Sequence, residues 1–311
     1  MSDTVNTTAN YEFRNNLELQ LQASTSLLWD ATEEQDCTGS EKETVKDLIG
    51  KTKPQEADER HGDLKQTNVN HDRVWITKPN ELYFNEYVDG ADQLATKIGL
   101  TGAYTMAAMA TIHRAWDDRI LQGMYGPILS GKDGTVLTPF PSSMIVPVTV
   151  GGASGAQRFN TAKLRQANKL LKQGYAMQPG DRKYMIIDAE QNDDLLSEVP
   201  VTSQEFSGAF SGKVDADGNV TQLLGWTFIH MELRNTDYLV ADAGLTVDAN
   251  GYTRNPFWVK SGVRKGVWNK VRTAIKDQPS KVDTRSVFAG TTVAATRTQA
   301  GKVGIILNSE A

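Results

Sequence analysis

The chain has 311 residues, 39% of them hydrophobic and 23% charged, with a formal net charge of -5. That length can bury a large core in two domains or one elaborated domain, and so mild a charge excludes a dedicated nucleic-acid binder. No run is apolar enough to span a bilayer, the start lacks the basic-then-apolar pattern of a secretory signal, and one cysteine excludes an internal disulfide framework.

Residues 1–40 are rich in Asn, Thr, Ser and Glu, with short apolar patches at Leu17, Leu19 and Leu21 and at Leu27, Leu28 and Trp29. The alternation from Leu17 to Leu21 suits an edge strand or a segment lying on another surface. Alone, such an arm does not offset its own ordering entropy, so it is expected to be disordered or pinned by something else. Cys37 follows Glu33, Glu34 and Asp36, whose charge favours an inert thiol; a lone thiol also suits a reducing cytosol.

Glu41 to Gly50 fits a helical turn or a strand, and Lys51 to Asn70 is almost wholly polar. Arg73 to Lys78 and Glu81 to Val88, rich in β-branched and aromatic residues around a Lys78-Pro79-Asn80 break, are predicted strands. Arg60 to Asp63 has the composition of a loop tip. The region therefore reads as a long two-stranded projection, marginal in isolation and in need of a surface.

A long helix is predicted from Gly102 to Gly123, with Thr101 as cap and Gly123 as stop. Ala108, Ile112, Ala115, Trp116 and Ile120 share its apolar face, while Arg114, Asp117, Asp118 and Arg119 fall on the outer one. Asp118 and Arg114 are spaced for an i, i+4 ion pair. After a Gly-, Ser- and Pro-rich stretch with a strand at Met144 to Val150, a second helix runs from Asn160 or Thr161 to Gly174. It buries Leu164, Ala167, Leu170 and Leu171 and turns Lys163, Arg165, Lys169 and Lys172 outward. Lys183 to Asp188 is a buried strand, Ala189 to Glu198 a short helix, Leu223 to Leu233 a strand, and Val303 to Leu307 the last strand. This order is α+β, neither a doubly wound sheet nor a repeat array.

Residues 1–60 carry 13 acidic and 6 basic side chains, whereas residues 257–311 carry 10 basic and 3 acidic. The two ends can attract each other within a subunit or between subunits, or the acidic arm can be simply solvated. Gly151 to Gly155 lacks the Gly-Lys-Ser/Thr ending of a phosphate loop, so it reads as a surface loop. Asp215-Ala-Asp-Gly-Asn219 has its glycine at the wrong position for a calcium loop and fits a hairpin turn better. His61, His71, His113 and His230 lack metal-ligand spacing. Asp117 and Asp118, about 100° apart on a helix, do not face one substrate together, and no Gly-x-Ser-x-Gly elbow occurs. Nothing in the residues argues for catalysis, a cofactor or a metal.

Taken in order, Arg60-His-Gly-Asp63, Arg73-Val-Trp-Ile76 with Tyr83 and Tyr87 to Asp92, Arg114 to Leu121, Lys163 to Asn168 before Tyr184 to Asp188, Leu224 to Ile229, and Ala295-Thr-Arg297 before Val303 carry a likeness. From about residue 38 onward the chain resembles the major capsid proteins of tailed bacteriophages, with the Hong Kong-type capsid fold.

The resemblance implies an N-terminal arm over 1–37, an extended loop over 38–90, and a peripheral domain over 91–150 whose spine helix is 102–123. It implies a mostly axial domain over 151–260 and a return to the peripheral domain over 261–311. The arm would cross a neighbouring subunit and the extended loop would lie on one. Many copies would assemble through pentamers and hexamers into an icosahedral shell around double-stranded DNA, held without sequence-specific binding. Such a virion protein, assembled in the host cytoplasm without contact with membrane, leaves room for scaffolding, portal or decoration proteins. Arg60, Arg73, Trp75, Tyr83 and Phe84 are the candidate grip of the loop, because Arg and aromatic residues dominate interface hot spots, with Arg114 and Asp117 beside them. Packing of the aromatics inside the subunit is the competing reading. Two rival functions remain: the shell of a bacterial protein nanocompartment of the same fold, and a soluble hydrolase or carbohydrate-binding protein.

Overall fold

The computed structural model describes residues 23–56, 66–89, 100–152, 154–198, 213–278 and 284–310. Two compact units emerge. The smaller takes in 23–25, Glu81–Ala115 and Asn269–Thr292; the larger takes in Ser26–Asn80, Trp116–Trp268 and Val293 onward.

The larger unit is organised by β8 (Lys183–Ile187), whose Met185, Ile186 and Ile187 are all fully buried, as a strand covered on both faces requires. It pairs in parallel with β11 (Trp226–His230) and antiparallel with β12 (Thr253–Val259). With β7 (Ile145–Val146), β9 (Lys213–Val214), β10 (Val220–Leu223) and β15 (Val303–Asn308), these form a seven-stranded sheet of order β7-β15-β12-β8-β11-β10-β9. The strand expected from Leu223 to Leu233 is two strands, β10 and β11, because Leu224 and Gly225 take left-handed φ angles of 52° and 77° and turn the chain back. The strand expected from Met144 to Val150 shrinks to the two residues of β7.

Two helices cover this sheet. The longer, Thr161–Gln173, is capped as its sequence demands: Asn160 Oδ1 accepts the Lys163 N–H at 2.9 Å, and Gly174 ends it. Leu164, Ala167 and Leu171 pack with Met185, Trp226 and Phe257 in one apolar cluster, and half-buried Leu170 joins its rim. The shorter, Ala189–Glu198, is opened by Asp188, whose Oδ1 accepts the Gln191 N–H.

A four-stranded sheet of order β2-β3-β5-β6 holds the extended loop, with β2 (Lys42–Ile49), β3 (His71–Thr77), β5 (Ile128–Ser130) and β6 (Val136–Thr138). The legs of the projection are β2 and β3, and the next strand is β4 (Leu82–Asp89). β2 is the antiparallel partner of β3, and β4 instead pairs with β14 (Thr284–Arg297) from Leu82↔Thr291 to Asp89↔Thr284. The break at Lys78-Pro79-Asn80 redirects the chain from one sheet to another rather than closing a hairpin. β14 lies between β4 and β13 (Val263–Asp277), and β1 (Glu33–Asp36) runs parallel to the start of β13, giving the order β1-β13-β14-β4. The expected return of residues 261–311 to a single region is split, because β13 and β14 serve this sheet while β15 joins the seven-stranded one.

The long helix runs from Leu100 to Tyr125, so Thr101 sits inside its first turn instead of capping it. Ala108, Ile112, Ala115, Trp116 and Ile120 are all buried as expected. Gly123 is not a stop. It lies where the helix presses on β14: a Cβ there would fall 2.5 Å from the Ala295 carbonyl carbon and oxygen. Helix propensity favours Gly123→Ala by about 1 kcal/mol. The clash reverses the sign, and urea denaturation is expected to show a net loss of about 1–3 kcal/mol.

Candidate intersubunit surfaces

Residues 23–37 show how the N-terminal chain is held. Asp117, expected on the outer face of its helix, is fully buried and accepts hydrogen bonds from Ser26 Oγ (2.6 Å), Leu27 N (3.0 Å) and Leu28 N (3.1 Å). Burial pushes its carboxyl above the ordinary aspartate range, even though these three donors pull the other way. Asp118, also expected outside, is buried and accepts the Val240 N–H at 3.1 Å. The adjacent carboxylates thus serve different elements, as a turn of 100° per residue requires. In the smaller unit Arg114 donates to the Ala23 carbonyl at 3.2 Å, and His113 Nδ1 lies 2.7 Å from the Ser24 carbonyl.

Beyond Asp117, Leu28 is fully buried, Trp29 packs on Trp116 at 4.3 Å, and Trp258 donates to the Ala31 carbonyl at 2.9 Å. The buried Lys265 ammonium sits 4.1 Å from the Trp29 ring centroid and donates to its carbonyl. Glu33 pairs with Arg264, and Glu34 approaches Lys265 at 3.7 Å, where β1 lies beside β13. The acidic and basic ends of the chain therefore attract each other within one subunit here. Residues 26–36 are pinned to their own larger unit, which corrects the expectation of an arm reaching a neighbour all the way to residue 37. Cys37 closes this stretch; burial first, then Glu43, pushes its thiol up to about 12, so it is inert as expected.

The predicted loop residues divide by environment. Arg60 lies outside the described residues. Arg73 is half-exposed and pairs with Asp47 across the β2–β3 ladder at 2.8 Å. Trp75 is a strut of its own sheet: Nε1 donates to the Gly131 carbonyl at 2.8 Å, and Lys42 stands over the ring at 5.0 Å. Gly134 (φ +61°) permits this, since a Cβ there would come within 2.5 Å of the indole. Phe84 is half-buried. Tyr83 is 67% exposed, stacked on Phe288 at 5.9 Å. Thus Trp75, Arg114 and Asp117 work inside the subunit, whereas Arg73 and Tyr83 present surface. Sequence reading missed Ile49, Tyr87, Val136 and Leu137, all large and exposed. The signal was present for Val136 and Leu137, an apolar pair inside a Gly- and polar-rich stretch.

A buried polar network lies beneath the seven-stranded sheet. Lys163, expected to face out, is fully buried and donates to the Gln157 and Leu307 carbonyls and to Asn308 Oδ1 at 2.7–3.0 Å. Burial pulls its ammonium down to about 8. Asn308 donates to Asn255, Asn255 and Gln191 exchange amide hydrogen bonds, and Gln191 donates to Asp188 at 2.8 Å. Burial, reinforced by nearby Glu310 and Glu232, pushes the Asp188 carboxyl up to about 7.

None of these arrangements resembles a reaction centre. Gln157 donates to the Ser154 carbonyl at 2.9 Å. Asp215 accepts the N–H groups of Asp217 and Asn219 and closes the β9–β10 turn as expected. His230 is spent on the Val220 carbonyl, and no group of metal-ligating side chains occurs among the described residues.

Comparison with known proteins then decides the family. The sequence profile of a family described as "Phage capsid protein" matches residues 5–310. This chain belongs to the phage capsid protein family. Its fold is shared with the capsid of the cyanophage P-SCSP1u (TM-score 0.71, 11% identity, covering 100% of this chain and 96% of that one). The mature capsid of bacteriophage PhiM1 (0.66, 11%, 96% and 91%) and a Mycobacterium phage Che8 structure (0.60, 13%, 94% and 95%) are similar too. No curated protein sequence matches. The α+β architecture is that of Hong Kong-type phage capsids, and the chain is a structural major capsid protein, a component of the virion.

Two measurements probe this chemistry. Asp117→Ala orphans three donors and is expected to cost about 1–3 kcal/mol in urea denaturation, with faster hydrogen exchange at the Leu27 and Leu28 amides. Asp188 binds its proton more tightly folded than unfolded, so its contribution is complete below about pH 4 and is lost as pH rises through about 7. The melting temperature is therefore expected to fall over that interval, and Asp188→Asn should flatten the fall.

Proposed function

We propose that copies of this chain assemble through pentamers and hexamers into a closed icosahedral shell around phage double-stranded DNA, with the extended loop of each copy lying on a neighbour. The observation that carries this is the loop itself. Past Ile49 its legs stay paired by the Gly50 N–H to the Asn70 carbonyl at 2.7 Å and Gln55 to Thr67 at 3.1 Å, yet residues 51–56 are all exposed and, Pro54 apart, polar. A two-stranded ladder without an apolar face does not hold itself in water. Ring contacts between identical copies close by rotation, and a chain tied to several neighbours gains avidity far above any single contact.

On this reading the seven-stranded sheet and its two helices form the axial domain, and the long helix with β4 and the outer parts of β13 and β14 belongs to the peripheral domain. Arg73, Tyr83, Tyr87 and Leu137 are the contact residues. The role is structural, without catalysis. DNA is enclosed without sequence reading, since so mild a charge does not bind phosphate tightly. Scaffolding, portal and decoration proteins would be further partners, and assembly would take place in the host cytoplasm.

Replacing residues 51–70 by a short Asn-Gly turn tests this. The subunit is expected to melt close to the wild type while closed particles vanish from negative-stain micrographs. Intact particles from the shortened chain would refute the role given to the loop.

A further inference from the structure

The two helices over the seven-stranded sheet carry opposite charge. Thr161–Gln173 holds four bases and no acid, and Ala189–Glu198 holds four acids and no base. The first packs over β7 and β15 at one end of the sheet, the second over β10 toward the other.

On the basic helix, Lys163 is spent on the buried network, but Arg165, Lys169 and Lys172, at i, i+4 and i+7, line one exposed stripe. None of these three makes a side-chain hydrogen bond or ion pair among the described residues. Their charge is felt nearby: burial first, then Lys172, pulls the Lys183 ammonium down to about 8. Just past the stripe, Tyr175 takes the left-handed φ of 50° that helix ends normally give to glycine, with 83% of its surface open. Backbone strain kept beneath an exposed aromatic ring points to a use for that ring.

On the acidic helix, Asp194 accepts the Phe159 N–H and Glu198 accepts the Thr161 N–H, while Glu190 and Asp193 stay exposed one turn apart. Arg158 meets this helix at 3.1 Å from Glu190 and 3.2 Å from Asp194, and Asp193 has no partner among the described residues. A second copy of the chain offers each helix the opposite sign. Unlike charges on two ends of one sheet make a head-to-tail contact that repeats by rotation.

We infer that Arg165, Lys169, Lys172 and Tyr175 of one copy seat against Glu190 and Asp193 of the next, forming the contact between neighbours within each ring. This deepens the assembly reading and rests on it.

Zero-length carbodiimide coupling of particles built from a mixture of light and heavy-nitrogen chains reads the contact directly. Mass spectrometry is expected to find Lys169 or Lys172 joined to Glu190 or Asp193, with both isotopes in one pair. Pairs of a single isotope only, coupling of these lysines only to other acids, or no coupling would overturn the inference. In a second test, Arg165→Glu with Lys169→Glu and Lys172→Glu sets like charges face to face. Ring and particle yield in negative-stain micrographs is expected to fall about tenfold or more, with subunit melting close to the wild type. Adding Glu190→Lys and Asp193→Lys to the same chain is expected to restore the yield, since both partners then change sign. Tyr175→Gly relieves the backbone and is expected to lower the yield without lowering the melting temperature. Undiminished yield in the stripe variant or in Tyr175→Gly, no recovery on the double reversal, or intact rings that lose only duplex DNA would each refute the pairing. Should a reversed chain fold poorly, the coupling measurement on the unaltered chain decides alone. A wild-type chain that forms no rings would instead overturn the assembly reading, and this inference with it.

Discussion

The buried carboxylate of Asp117 fixes where the N-terminal chain meets the larger unit, and much of the neighbouring structure follows from it. Three donors converge on one aspartate, so displacing the chain would orphan all of them and leave a desolvated acid without partners. With Ser26 to Leu28 fixed, Trp29 falls between Trp116 and the Lys265 ammonium, and Glu33 to Asp36 is aligned beside β13. A strand is thereby placed along an edge that would otherwise expose unpaired backbone. Charge contributes as well: the acids of β1 face the bases of β13, where a partly shielded site screens them less than open solvent does.

The remainder of the molecule divides by the source of its order. The seven-stranded sheet, with Trp226 and Phe257 edge-on at 5.6 Å and two helices over it, is held by apolar burial of its own. The extended loop has a small apolar cluster only at its base, where Val45, Val74 and Ile76 pack with Cys37 and Ile128. That base is also fastened by Trp75 against the Gly131–Gly134 turn, while its outer legs rely on polar links, Gly50 to Asn70 and Gln55 to Thr67.

Legibility in the sequence followed local chemistry. The Asn160 cap, the Gly174 stop, the Ala189–Glu198 helix and the β8 run were readable because neighbouring residues determine them. The misreadings share a cause, tertiary context overriding a surface assignment. Lys163 sits on the polar side of its helix by composition, yet two carbonyls and the Asn308 amide wait there. Asp117 and Asp118 belong to a helix half buried on most sides, where a hydrophobic stripe no longer marks the core. Gly123 reads as a terminator, but the constraint comes from Ala295, distant in sequence. The partnership of β4 with β14 was hidden because the two strands are distant in sequence. Of the candidate grip, Tyr83 and Arg73 were legible as surface; Trp75 was not legible as a strut, since an aromatic in a strand looks the same whether it faces inward or outward.

The polar character of residues 51–56 has a consequence for the life of the free subunit. An oily appendage would stick indiscriminately at the high concentrations reached before particles form. A hydrophilic one offers no oily surface for such sticking. The outer legs of the loop therefore add nothing to the tendency of free subunits to clump.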